Sequence, residues 1–110
     1  MKYLITESQL NRMIFKYLDN QDFIRIEKNN RIYFVNSEGD EYAQIRFDKD
    51  DGWCFISIDL TKVISSFFSL ELTDSNEVIG RWVENTSQMR VTHTHRARQD
   101  AFGKLRIPSN

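Results

Sequence analysis

His93 and His95 have the most metal-like spacing in the chain. On a strand, residues two apart project to the same side, so two imidazoles there can share one ion. A catalytic site needs at least a third ligand, and no Cys, Asp or Glu lies close in sequence to supply it. Two solvated histidines in a basic tail are the simpler reading, and no metal or other cofactor is expected. Cys54 as a nucleophile would need a base and an electropositive setting. It lies instead between Trp53 and Phe55 on an expected strand, where a free cysteine packs as a small hydrophobe. Asp48, Asp50 and Asp51 resemble the start of a calcium loop. Counting from Asp48, however, puts Gly52, Trp53 and Asp59 where an EF-hand needs an oxygen donor, a glycine and a glutamate. A charged turn fits better. The glycines at 39, 52, 80 and 103 are isolated, so no phosphate-cradling loop exists, and neither G-x-S-x-G nor H-E-x-x-H occurs. The expectation is a protein that is not an enzyme.

Charge points to a different kind of chemistry. Residues 1–88 carry ten Lys/Arg against fifteen Asp/Glu, whereas 89–110 carry five basic residues against Asp100 alone. An acidic body thus ends in a basic arm. Arg90, His93, His95, Arg96, Arg98, Lys104 and Arg106 could follow a phosphate backbone, with Tyr33 or Trp53 adding stacking to single strands. The same arm could contact an acidic patch on a neighbouring subunit.

The chain has 110 residues, which suits one domain: residues 1–88, followed by the arm 89–110, which need be only partly ordered. It is 40% hydrophobic and 13% aromatic, enough for a core without staples. With Cys54 as its sole cysteine it forms no internal disulfide and no thiolate zinc cluster, and a reducing compartment fits. Tyr3-Leu4-Ile5 is too short for a signal peptide and the longest apolar runs are too short to span a bilayer, so a cytoplasmic protein away from membranes is expected.

These residues must be positioned by an α+β fold. Thr6 and Gln9 are spaced as a capping box, Ile5 and Leu10 as a hydrophobic staple, and Leu10, Met13, Ile14, Tyr17 and Leu18 form the apolar stripe of a helix from about Thr6 to Leu18. Four strands follow. Phe23–Lys28 and Arg31–Val35 are joined by Asn29-Asn30, which tolerates a tight hairpin. Glu41–Phe47 follows the turn Ser37–Asp40, with Ala43, Ile45 and Phe47 on one face. Trp53–Ile58 follows the turn Asp48–Gly52, and short turns imply an antiparallel meander. Asp59 is the expected cap of a second helix carrying Leu60, Val63, Ile64, Phe67 and Phe68. Asp74 and Glu77 suggest a third helix starting at Thr73 or Asp74, whose pattern weakens after Glu84. Gly80 inside it costs about 1 kcal/mol in propensity, which a close helix approach would offset. Met89–Thr94 reads as a fifth strand or an extended arm, and Arg96–Asn110 as a frayed end.

The expected architecture is therefore an N-terminal helix, a four-stranded antiparallel sheet, two C-terminal helices packed on it and a basic tail. Helices on one face leave Trp53, Phe55 and either Tyr33 or Phe34 on the other. That face is then an interface, or the sheet curls and buries both faces within one copy. The leading expectation is a small interaction protein, a homo-oligomer using Tyr33, Trp53, Phe55, Phe67 and Phe68. The alternative is a nucleic-acid binder using the arm, one version being a small Sm-like barrel. The opening Lys2-Tyr3-Leu4-Ile5-Thr6-Glu7-Ser8-Gln9-Leu10, followed by Ile14 and Tyr17-Leu18, resembles the start of many small uncharacterised proteins of tailed phages infecting marine bacteria. Phe67-Phe68-Ser69-Leu70 and Ile79-Gly80-Arg81-Trp82-Val83-Glu84 are similar in flavour. The resemblance covers about a fifth of the chain. It implies a phage source and a place in the host cytoplasm, and it assigns no catalytic residue.

Overall fold

In the computed structural model, which describes residues 6–35, 43–98 and 102, Thr6 opens the first helix as its spacing requires. Its hydroxyl accepts from the Gln9 backbone N–H, and the Gln9 side chain accepts from that of Thr6. Helix α1 spans Glu7–Asp19, with Ile14 and Leu18 fully buried. The Ile5 half of the staple, the turn at 36–40 and residues 41–42 lie outside the described residues, as do Lys104 and Arg106. Strands β1 (Ile24–Lys28) and β2 (Arg31–Val35) pair antiparallel across Asn29 and Asn30. Both asparagines take positive φ, as a two-residue hairpin turn of this hand needs. Strands β3 (Ala43–Asp48) and β4 (Trp53–Ser57) complete the antiparallel meander.

The sheet has a fifth strand, and it is not antiparallel. Strand β5 (His93–Ala97) lies parallel to β4, giving the order β1-β2-β3-β4-β5. The expected four-stranded sheet is thus a mixed five-stranded one: of the two readings of Met89–Thr94 the strand holds, shifted to His93–Ala97, and it takes in Arg96 and Ala97 from the expected frayed end. A parallel return needs a long crossover. Helices α2 (Ile58–Phe68) and α3 (Leu72–Ser87) form that crossover and pack against the sheet.

The helix boundaries differ from expectation for local reasons. Ser57, not Asp59, caps α2: its hydroxyl accepts from the Leu60 N–H and donates to Gln44 Oε1. Ile58 leaves the strand because the cap turns the chain there. Helix α3 starts at Leu72 with Glu71 at its cap and no side-chain capping bond, so Asp74 and Glu77 lie inside it. It continues past Glu84 because Ser87 is buried against the rest of the fold. Among the described residues, no helix is long and apolar enough to cross a membrane.

The main core lies between helices and sheet. Ile32, Phe34, Ile45, Phe47, Cys54 and Ile56 from the strands meet Ile14, Leu18, Leu60, Ile64, Val78, Ile79, Trp82 and Val83 from the helices. Trp82 sits 5.1 Å from Phe34 between ring centroids and donates its indole N–H to Asp19 at the end of α1. A register shift between Phe34 and Val35 changes the face of Ala43, which joins Tyr33 and Val35 in a second cluster on the other side of the sheet. Ala43 therefore does not share a face with Ile45 and Phe47. A β-bulge resets the period-two alternation at that point.

Two glycines hold β5 in place. Gly80 of α3 lies so close to β5 that a Cβ there would come 2.6 Å from Thr94 Cγ2. Gly52, at φ +77°, lets the β3–β4 turn approach residues 90–92, where a Cβ would meet Arg90 O and Thr92 Cγ2 at 2.9 Å. The Thr92 N–H then donates to Gly52 O at 2.7 Å and its hydroxyl to Asp51 O at 2.7 Å. We expect Gly80→Ala to destabilise by about 1–2 kcal/mol despite the better helix propensity of alanine. Adding Thr94→Ser, which removes the obstructing methyl, should recover most of that loss in urea unfolding. Additive losses would show that the two residues do not meet.

Candidate functional site

The site is the side of the sheet turned away from the helices, and strand register builds it. Two rows of opposed residues cross the strands: Lys28, Arg31, Asp48, Trp53 and His93, then Ile26, Tyr33, Arg46, Phe55 and His95. At the β4–β5 end these rows become a stack of rings. Trp53 lies 4.8 Å from His95 and 5.5 Å from His93 between centroids, and Phe55 stacks on His95 at 5.3 Å with planes 25° apart. The two imidazoles are 6.3 Å apart and nearly coplanar in tilt, at 18°. The Arg46 guanidinium caps the Phe55 ring at 4.3 Å. Such a cation–π contact is worth about 0.5–2 kcal/mol.

Charges on this face converge on Asp48. Its carboxylate accepts from Arg46 Nε at 3.1 Å and Nη2 at 3.3 Å, and pairs with Arg31 Nε at 3.2 Å. The Arg31 guanidinium is held more firmly protonated than usual, first by hydrogen bonding with Tyr33 and then by the Asp48 charge. One acid thus orients two guanidiniums on this face. His95 Nε2 is buried with no hydrogen-bond partner among the described residues. Leaving a polar atom in that state costs about 1–3 kcal/mol.

Among the described residues, the face is covered at one end only. Phe102 packs against Tyr33, Val35 and Ala43, with Ile26, Phe55 and Ala97 at the margin. Tyr33 is only 7% exposed, so it does not present its ring as the sequence reading has it. Phe34 belongs to the main core. Trp53 remains 38% exposed at the open end. The face is thus buried within one copy at the Tyr33 end and open at the Trp53 end.

The remaining candidates separate. His93 and His95 project to one side, as the strand spacing implies, but among the described residues no group of three or more His, Cys, Asp or Glu could hold a metal. Arg96 alternates to the opposite face of β5 from the histidines, so the arm does not offer one basic stripe. Phe68 is half-buried against the main core, whereas Phe67 is 69% exposed. With Val63 at 44% and Met13 at 48%, Phe67 forms a ridge over α1 and α2, bridged by Tyr17 5.5 Å from Phe67. A shallow depression of about 340 Å³ beside it is lined by Lys62, Val63, Ser66 and Phe67. Sequence reasoning missed Arg46, Phe102, Met13 and Val63. Met13 and Val63 had a signal: each helix carries a stripe one position wider than a single buried face needs. Arg46 needs the strand register, and Phe102 stands alone in polar surroundings.

Comparison with family models, with curated proteins and with solved structures found no match for this chain.

Cys54 is fully buried, and burial, with the Asp48 charge adding to it, pushes its thiol far toward the protonated form. Labelling by Ellman's reagent should therefore wait on unfolding: no fast phase in native buffer, and one equivalent released in guanidinium. A fast native phase would show that the helices lift readily from the sheet.

Proposed function

We propose that the chain is a non-catalytic interaction protein that associates with a second copy of itself through the α1–α2 ridge. The observation that carries this reading is the exposure of Phe67 next to Val63, with Tyr17 and Met13 extending the same surface. Large apolar side chains gathered on one patch mark association, whereas single exposed ones do not. Asp59 and Lys62 flank Val63 with opposite signs, an arrangement that a two-fold contact can pair crosswise. A phage source, which the opening residues suggest, would place that assembly in the host cytoplasm.

Sedimentation velocity over a concentration series tests the reading. The native chain should sediment as a dimer or larger species. Phe67→Asp should sediment as a monomer, with unfolding free energy within about 0.5 kcal/mol of native because the ring is mostly solvated already. A native chain that stays monomeric at the highest attainable concentration overturns the proposal.

A further inference from the structure

We propose that the open end of the second sheet face binds single-stranded polynucleotide, with bases stacking on Trp53 and His93 and phosphates meeting Arg46, Arg31 and Lys28. Three observations converge. The first is the ring stack itself: Trp53 and His93 are exposed, and Phe55 and His95 support them from the neighbouring row. Every base has a π-face, so a platform of this kind takes bases without reading their edges.

The second is charge. The body of the chain is acidic, yet the rows of this face present Lys28, Arg31 and Arg46 against Asp48, whose oxygens both arginines already engage. At the turn end, the Asp51 carboxylate is occupied by the Trp53 backbone N–H at 3.0 Å and that of Asp50 by the Asn30 amide. A polyanion is the partner that this distribution complements. A second copy of the chain is not, because a two-fold contact here would set Lys28, Arg31 and Arg46 against themselves.

The third is access: Trp53 is 38% exposed at this end, whereas Tyr33 at the covered end is only 7% exposed. Phe102 occupies only the Tyr33 end, so it does not cover Trp53. Among the described residues the helices all pack on the other side of the sheet, and a strand surface without a projecting helix suits unpaired bases rather than a duplex groove. This surface lies across the sheet from the α1–α2 ridge, so the two proposals stand or fall separately.

The test is fluorescence anisotropy with a labelled oligo(dT) of about twelve nucleotides, within the span that single-strand binders of this kind cover. Native protein should bind saturably at low salt and its Trp53 emission should fall. Trp53→Ala should weaken binding about ten-fold or more and Trp53→Phe much less. Lys28→Gln and Arg31→Gln should each lower the slope of log affinity against log salt by about one. All three side chains are exposed at least in part, so circular dichroism should confirm that the variants fold. Absence of saturable binding overturns the proposal. So does binding that Trp53→Ala leaves unchanged, or that heparin and duplex DNA compete away as well as unlabelled single strand, because bare electrostatics through the arm would then suffice.

Discussion

The approach of Gly80 to Thr94 is the contact on which the rest of the architecture turns. A side chain at position 80 would lift α3 from the sheet edge, and β5 could not then lie beside β4 at its present spacing. With β5 in place, alternation does the rest: Thr94 faces the helix, so His93 and His95 must face away, beside Trp53 and Phe55. The ring stack is thus a consequence of a packing choice made on the opposite side of the same strand. At the start of that strand Thr92 donates its backbone N–H to Gly52 O and its hydroxyl to Asp51 O. Little apolar burial holds β5 itself, whose residues are exposed or half-buried. Its position is owed to close contact and hydrogen bonding rather than to greasy side chains.

The two faces of the sheet solve different problems. The helix side is a conventional core, with aliphatic strand residues interlocked with three aromatic anchors, Phe34, Phe47 and Trp82. Among the described residues, the far side has no layer of its own. A bulge between Phe34 and Val35 turns Ala43 toward it, and Phe102 covers the resulting cluster. Where that cover ends, the surface is finished with delocalised groups: an indole, two imidazoles, a phenyl ring and a guanidinium. These groups have flat apolar surfaces and polar rims, so they tolerate water without the full penalty of an exposed aliphatic chain.

Much of this was written locally in the chain. The Thr6–Gln9 box, the Asn29-Asn30 turn, the meander and the crowding at Gly80 were each legible because one or two neighbouring residues determine them. What escaped depends on distant partners. His-Thr-His-Arg-Ala has no apolar alternation, so its strand character comes from β4 and α3 and not from its own side chains. Ser57 displaced Asp59 as the cap because Gln44, thirteen residues earlier, orients its hydroxyl. Of the site, Trp53, Phe55, His93 and His95 could be named from sequence, but as two separate suggestions, an apolar face and a basic arm. Only the parallel register joins them, and only the register shows Arg46 above Phe55. The burial of Tyr33 by Phe102 rests on a tertiary contact that no spacing announces.

The parallel pairing of β5 also orders events in time. As the chain leaves the ribosome, the meander through Ser57 is complete while the whole of α2, α3 and the final strand is still to come. Until then β4 is the outermost strand, with its backbone groups and the Trp53 and Phe55 rings unaccompanied. A nascent copy in that condition can receive the last strand of a neighbour as readily as its own, since the chemistry of the seat is identical. The long helical return tethers each chain to its own last strand, and that proximity is what favours closing the sheet within one chain over exchange.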